Sequence, residues 1–419
     1  MQRFASDVAF VDDGFGPTRA GDQVARIALE AEAPFTIGVT GKWGAGKTSV
    51  LRRAFVTLGG VPLEAEVPLG GPHPEVEEDA WKHLRYGTRP AELGWDEALL
   101  EEASRSLCVW FSPWQHQHAA NPLLPLLHEM RAQYTTWIKV KCTLNDANRR
   151  GGLAGLALLE RVIDGAASLV TGSQVQLATG TTEAVRTAWR SAAPLEPDLD
   201  DGQRLMLLFE DAVKNLIDGL HETSGQAQDK KTPLPGRLII FIDDLDRCEE
   251  DAVVKLLEAI KLYLGSRRAV FILGVDEAAV LSALARFWPD RSPDDNREYL
   301  DKLFQAVLPV PLPRPEKVLE AVTERLEAHG FPEPATCAKM VVDVIEPNPR
   351  KIKTFLNSAC ASWALFGQRC EAGESDSLRF AQRFLLFHYL RSYHNAIWRL
   401  LERQPWVLRF LSVALGVGA

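Results

Sequence analysis

Gly41-Lys42-Trp43-Gly44-Ala45-Gly46-Lys47-Thr48 fits the pattern G-x-x-x-x-G-K-[ST], and its reading decides the fold. Glycines at these positions let the backbone fold over a row of phosphates with successive N–H groups pointing inward. A helix starting near Lys47 would add its positive end. The Lys47 ammonium suits the terminal phosphates, and the Thr48 hydroxyl is the expected protein ligand for Mg²⁺. A string this short arises by accident about once in a hundred chains of this length, so its flanks have to support it. They do. Phe35-Thr36-Ile37-Gly38-Val39 reads as a short buried strand, and Val50, Leu51, Ala54, Phe55 and Leu58 recur at the spacing of one helix face. Strand, glycine loop and helix is the order that the phosphate-binding mechanism requires.

The second signal lies far downstream. Arg237-Leu238-Ile239-Ile240-Phe241-Ile242-Asp243-Asp244 is an apolar, β-rich run that ends in two carboxylates. A strand buried on both faces is apolar throughout, and its C-terminal edge meets the phosphate loop in an open α/β sheet. An acid there can hold the water shell of Mg²⁺, which is the reading for Asp243. Asp244 is placed to orient or deprotonate an attacking water. Asp246 and Arg247 continue this edge, with Arg247 either tying the loop to a carboxylate or lying near phosphate. Two further buried strands are expected, Leu107-Cys108-Val109-Trp110-Phe111 and Ala269-Val270-Phe271-Ile272-Leu273-Gly274-Val275. Ser112-Pro113-Trp114-Gln115 stops the first. Trp114 is therefore either a near-site residue or a packed core aromatic, and Asp276, after the other strand, is either a phosphate sensor or a helix cap.

The chain of 419 residues is 46% hydrophobic, enough for a sizeable core. Its 47 Lys and Arg against 56 Asp and Glu give a net charge of −9, so there is no global basic field for nucleic acid or an anionic membrane. Six scattered cysteines show no zinc spacing and read as reduced core residues. The amino-terminal residues resemble no export leader, which sets cytoplasmic residence as the expectation. No window reaches the length of a transmembrane helix. Residues 1–34 should hold a turn-rich start and then a short helix through Val24, Ile27 and Ala28, with Asp22 as its cap. The texture of residues 59–104, rich in Pro, Gly and acids, reads as a surface insertion, either a lid or docking loop or a variable solvated loop. Residues 121–222 show helical periodicity alone, with a Thr-, Ser- and Gly-rich middle at 171–197.

Together these blocks resemble the KAP family of P-loop NTPases. The phosphate loop with its tryptophan, continued by Ser49, is similar to that family's form. So are Val109-Trp110-Phe111-Ser112-Pro113-Trp114-Gln115, Asp243-Asp244-Leu245-Asp246-Arg247-Cys248, Tyr299-Leu300-Asp301-Lys302-Leu303-Phe304-Gln305 and Asn348-Pro349-Arg350-Lys351-Ile352-Lys353. The resemblance implies an α/β fold: a P-loop NTPase core with a parallel sheet of the additional-strand, catalytic-acid type, plus a C-terminal helical domain. The expected division is a core over 1–313 and a helical domain over 314–419. The implied nucleotide set is Gly41, Trp43, Gly44, Ala45, Gly46, Lys47, Thr48 and Ser49, with Mg²⁺ on Thr48 and Asp243. The implied catalytic set is Lys47, Asp244 and Arg350. Arg350 matches the arginine of the family's Asn-Pro-Arg segment, and its alternative is a plain helix-surface residue. ATP is the expected nucleotide, since no Asn-Lys-x-Asp guanine motif is present.

Many relatives carry membrane helices between the two phosphate-site motifs, where residues 121–222 are too polar to span. Some bacterial relatives are linked to phage exclusion, which sets a defence role as an expectation by analogy. The leading expectation is a Mg²⁺-dependent ATP-hydrolysing switch that acts on a protein partner or on copies of itself. The rival is a nucleotide-binding scaffold with negligible hydrolysis.

Overall fold

The computed structural model describes residues 18–60, 94–119, 122–141, 155–164, 201–218, 236–263, 266–366 and 374–407. The expected turn-rich start before residue 18, most of the 59–104 insertion and the Thr-, Ser- and Gly-rich stretch at 171–197 lie outside these. By contact the chain forms two compact units. One takes in Pro17–Trp43 and Lys47–Val310, the other Gly44–Gly46 and Pro311–Ala419.

The first unit is built on five strands: β1 (Phe35–Thr40), β2 (Leu107–Phe111), β3 (Leu238–Ile242), β4 (Ala269–Val275) and β5 (Ala306–Pro309). They pair in the order β2-β3-β4-β1-β5, every pair parallel. Strand β4 thus lies between β1, which leads into the glycine loop, and β3, which ends at the two acids. That is the additional-strand arrangement. Every residue of β3 and β4 is buried, which explains why both read as unbroken apolar runs: helices cover each face and no position faces water. Strand β5 is short, ends in proline and alternates in burial, as suits an edge.

Around the sheet lie α1 (Thr18–Glu30), α2 (Lys47–Thr57), α3 (Glu97–Arg105), α4 (Leu123–Lys141), α5 (Asp201–Asp218), α6 (Glu250–Tyr263), α7 (Glu277–Phe287) and α8 (Pro293–Leu303), with a helical segment at 155–164. Phe55 of α2 meets Trp110 and Phe241 edge-on at 5.5 and 5.2 Å, which packs the helix after the glycine loop onto β2 and β3. Asp22 does not cap α1. That helix begins four residues earlier, and Asp22 lies inside it, accepting from Arg53 Nε of α2 at 2.7 Å and from the Thr57 hydroxyl. Within 59–104, Glu97–Arg105 forms a helix capped by Asp96, which accepts from Leu99 N. Its Glu102 is buried against Arg237 at the start of β3.

The segment Tyr299–Gln305 closes the opposite edge. The Gln305 side chain accepts from Thr36 N at 2.8 Å, and Phe304 packs so closely on Gly38 that a Cβ there would lie 3.1 Å from its ring. No helix among the described residues is long and apolar enough to cross a membrane.

The second unit is helical: α9 (Pro315–Ala328), α10 (Pro334–Val344), α11 (Pro349–Phe366), α12 (Glu374–Tyr393) and α13 (Asn395–Arg403). Val318, Val322 and Leu326 of α9, Val341 of α10 and Phe355 and Ala359 of α11 share one core. Phe331 stacks on Trp363 there at 4.3 Å. Asn348 caps α11, its side-chain oxygen accepting from Arg350 N and Lys351 N at 3.1 and 3.2 Å, with Pro349 as the first helical residue.

Candidate functional site

Two strand ends and one helix start bring the candidate residues together. The β1–β4 ladder carries on into the loop, with Gly41 N donating to Val275 O at 3.1 Å, and the β2–β3 ladder carries on to the acid, with Asp243 N donating to Phe111 O at 3.0 Å. Both segments therefore sit at the C-terminal edge of one sheet. Gly44 and Gly46 have φ of 78° and 104°, in the region that side-chain-bearing residues avoid, so the loop's turn depends on glycine at both. Helix α2 then starts at Lys47 itself.

Lys47 Nζ donates to Gly41 O and to Lys42 O at 2.9 and 3.4 Å, which curls the side chain back over its own loop. Its charge is met by Asp246 Oδ2 at 2.9 Å. Thr48 donates its hydroxyl to the Asp243 carboxylate. Asp243 is 3% exposed, and burial, followed by the neighbouring charge of Asp244, pushes its pKa up to about 6; the bond from Thr48 works in the other direction. Gly274 of β4 leaves room for that carboxylate, since a Cβ there would lie 3.0 Å from Asp243 Oδ1 and 2.9 Å from Leu51 Cδ1.

Asp244 takes a left-handed backbone conformation, φ 59° and ψ 28°, and opens a 3₁₀ turn over Leu245–Arg247. Aspartate tolerates that conformation better than most residues, and here it turns the chain sharply at the strand's end. Arg247 Nε donates to Asp244 Oδ1 at 2.9 Å, so of the two readings for Arg247 the tie to a carboxylate is the one observed. Its guanidinium also lies 5.3 Å from the Trp43 ring and 5.8 Å from the Trp114 ring, both exposed, at 47% and 39%. Trp114 is therefore a rim residue, not a core aromatic. Asp276 occupies the position before α7 but makes no side-chain cap bond. Arg350 is the second residue of α11, in the helical unit.

Sequence reasoning left two contributors unassigned. Asp246 was visible only as a continuation of the acidic edge, and nothing in a linear string tied it to a lysine 199 residues away. Gly274 carried no signal beyond being a glycine inside a strand, which often marks a close approach.

Hard oxygen donors, one hydroxyl and one carboxylate, held together beside a loop shaped for phosphate, suit Mg²⁺. That ion commonly takes one or two protein ligands and fills its other positions with phosphate and water. Among the described residues no cluster of three or more His, Cys, Asp or Glu is placed to hold a metal ion.

A parallel sheet with one strand inserted between the loop strand and the acid strand, and a glycine loop opening a helix at its edge, define a P-loop NTPase core of the additional-strand type. The chain matches the KAP family P-loop domain over residues 22–360, most of its length, and belongs to that family. No match was found among curated proteins.

Proposed function

We propose that this chain is a Mg²⁺-dependent ATPase that works as a switch, with the site at the edge of β1 and β3. One observation carries the reading: the bonds from Gly41 N to Val275 O and from Asp243 N to Phe111 O bring the buried acid at the end of β3 to the same sheet edge as a loop whose geometry requires Gly44 and Gly46. In this account the loop amides from Gly41 to Ser49 bind the phosphates, and Lys47 supplies positive charge to the terminal ones. Thr48 and Asp243 hold Mg²⁺, which when bound neutralises phosphate charge and raises the electrophilicity of the terminal phosphorus. Asp244 orients the attacking water and accepts its proton, and Arg350 contacts the γ-phosphate. The family resemblance adds a place in bacterial phage defence, exercised through a protein partner or self-association.

The experiment is phosphate release from ATP, with and without Mg²⁺, for the wild type and Asp244→Asn. Mg²⁺-dependent release that falls at least about a hundredfold in the variant, with nucleotide affinity retained, supports the reading. Equal release by the two removes Asp244 from the chemistry. A specific observation favours the rival scaffold reading: Arg247 Nε already occupies Asp244 Oδ1, so one oxygen of the proposed water-activating carboxylate is committed to an ion pair. Tight ATP binding with no measurable release from the wild type selects that reading.

A further inference from the structure

Lys47 has three protons to donate, and all three have acceptors inside the protein: Gly41 O, Lys42 O and Asp246 Oδ2. The ammonium and the carboxylate are both enclosed, their side chains 8% and 7% exposed. A phosphate arriving at the loop forms a charged bond to this lysine only if one of the three is given up. Two of the acceptors belong to the loop and move with it. Asp246 sits on another element and carries the same sign of charge as the phosphate, so the two compete for one cation and repel each other across it. The bond that yields is therefore the one to Asp246.

We propose that Asp246 is the positioning residue of Lys47: it holds the ammonium over the loop when no nucleotide is present, and the phosphate chain displaces it. This rests on reading Gly41–Thr48 as the phosphate loop. The consequence reaches the chemistry, because Asp246 lies within the 3₁₀ turn that begins at Asp244 and ends at Arg247. Two bonds tie that turn to itself, Arg247 N to Asp244 O and Cys248 N to Leu245 O, each 3.2 Å. A shift at Asp246 is thereby passed to the proposed water-orienting acid. Occupation of the loop is felt at Asp244 through a single exchanged bond. The Arg247 guanidinium beside Trp43 keeps a second tie between turn and loop while the first is broken.

The test pairs ADP binding with a stability cycle. ADP is titrated calorimetrically into the wild type, Asp246→Asn and Asp246→Glu at fixed ionic strength. Urea unfolding without nucleotide is measured for Asp246→Asn, Lys47→Met and the double variant. Asp246→Asn is expected to bind ADP about fivefold or more tightly, because a competitor for Lys47 is gone, while Asp246→Glu stays within about twofold of the wild type. In urea the double variant is expected to lose less than the two single variants combined, since each single change leaves one buried charge without its partner. Unchanged or weaker ADP binding by Asp246→Asn overturns the proposal. So does tighter binding with additive stabilities, which would make Asp246 only a nearby negative charge. If Asp246→Asn does not fold, Asp246→Ser replaces it with the same expectations. A wild type that binds no ADP refutes the phosphate-loop reading itself, a separate failure.

Discussion

Replacing Asp243 with asparagine should make the nucleotide-free protein more stable at neutral pH, although the residue lies at the centre of the site. Its carboxyl is buried, and its pKa in the fold is about 6 against an ordinary 3.8, raised first by burial and then by the charge of Asp244. The folded state therefore holds this proton more tightly than the unfolded state. This group's contribution to stability is greatest below about pH 4, where it is protonated in both states, falls as pH rises from about 4 to 6, and is level above that. A difference of roughly two units, at 1.36 kcal/mol each, amounts to about 3 kcal/mol lost by pH 7.5. Asparagine keeps an acceptor for the Thr48 hydroxyl and carries no charge, so Asp243→Asn should recover most of that sum.

The assay is urea unfolding of both proteins without nucleotide or Mg²⁺ at several pH values from 4 to 8. The quantity of interest is the difference between them, in which other titrations cancel. That difference should be near zero at pH 4 and grow to about 2–3 kcal/mol in the variant's favour above pH 7. A variant that is less stable at pH 7.5, or a difference that does not change with pH, would refute the reasoning.

Other perturbations have equally definite outcomes. Asp22→Ala leaves the Arg53 guanidinium buried without its carboxylate partner and should cost about 3 kcal/mol in urea unfolding. Gly274→Ala places a methyl group 3.0 Å from Asp243 Oδ1, so it should weaken Mg²⁺–nucleotide binding about tenfold in calorimetry; unchanged binding would show that the carboxylate's position is unimportant. Gly46→Ala forces a side chain into φ 104° with open space around it, so the cost is backbone strain alone. About 1–2 kcal/mol should appear as a lower melting temperature or as looser nucleotide binding.

The parts of the fold that were legible in the sequence are those whose physics is local. Strands β3 and β4 face helices on both sides, so they have no polar position and stand out as uninterrupted apolar runs. The glycine loop was legible because its φ angles restrict the choice of residue. Strand β5 was not foreseen: its apolar run is only four residues long, ends in proline and lies at an edge where every second residue is exposed, so it has neither the length nor the polar alternation of a strand signal. Asp22 was misread for a related reason. An aspartate ahead of an apolar-periodic stretch resembles a cap, but α1 starts at Thr18, and the partner that explains Asp22 is Arg53, on another helix. The acidic texture of residues 59–104 likewise hid α3, whose Glu102 is buried because Arg237 is waiting for it.

At the site, the identities of Lys47, Thr48, Asp243 and Asp244 followed from motif spacing. The partners that govern their charges did not. Asp246 on Lys47, Arg247 on Asp244 and the space above Gly274 arise only when strands distant in sequence are laid side by side.

The central claim is that the glycine loop and the acidic edge of β3 grip one magnesium-bound triphosphate. Its most direct test is the affinity of the wild type and of Lys47→Ala for Mg²⁺·ATP, measured by calorimetry. With two or more charged hydrogen bonds lost, the account predicts weakening of about a hundredfold or more in the variant. Undiminished affinity in Lys47→Ala would contradict it.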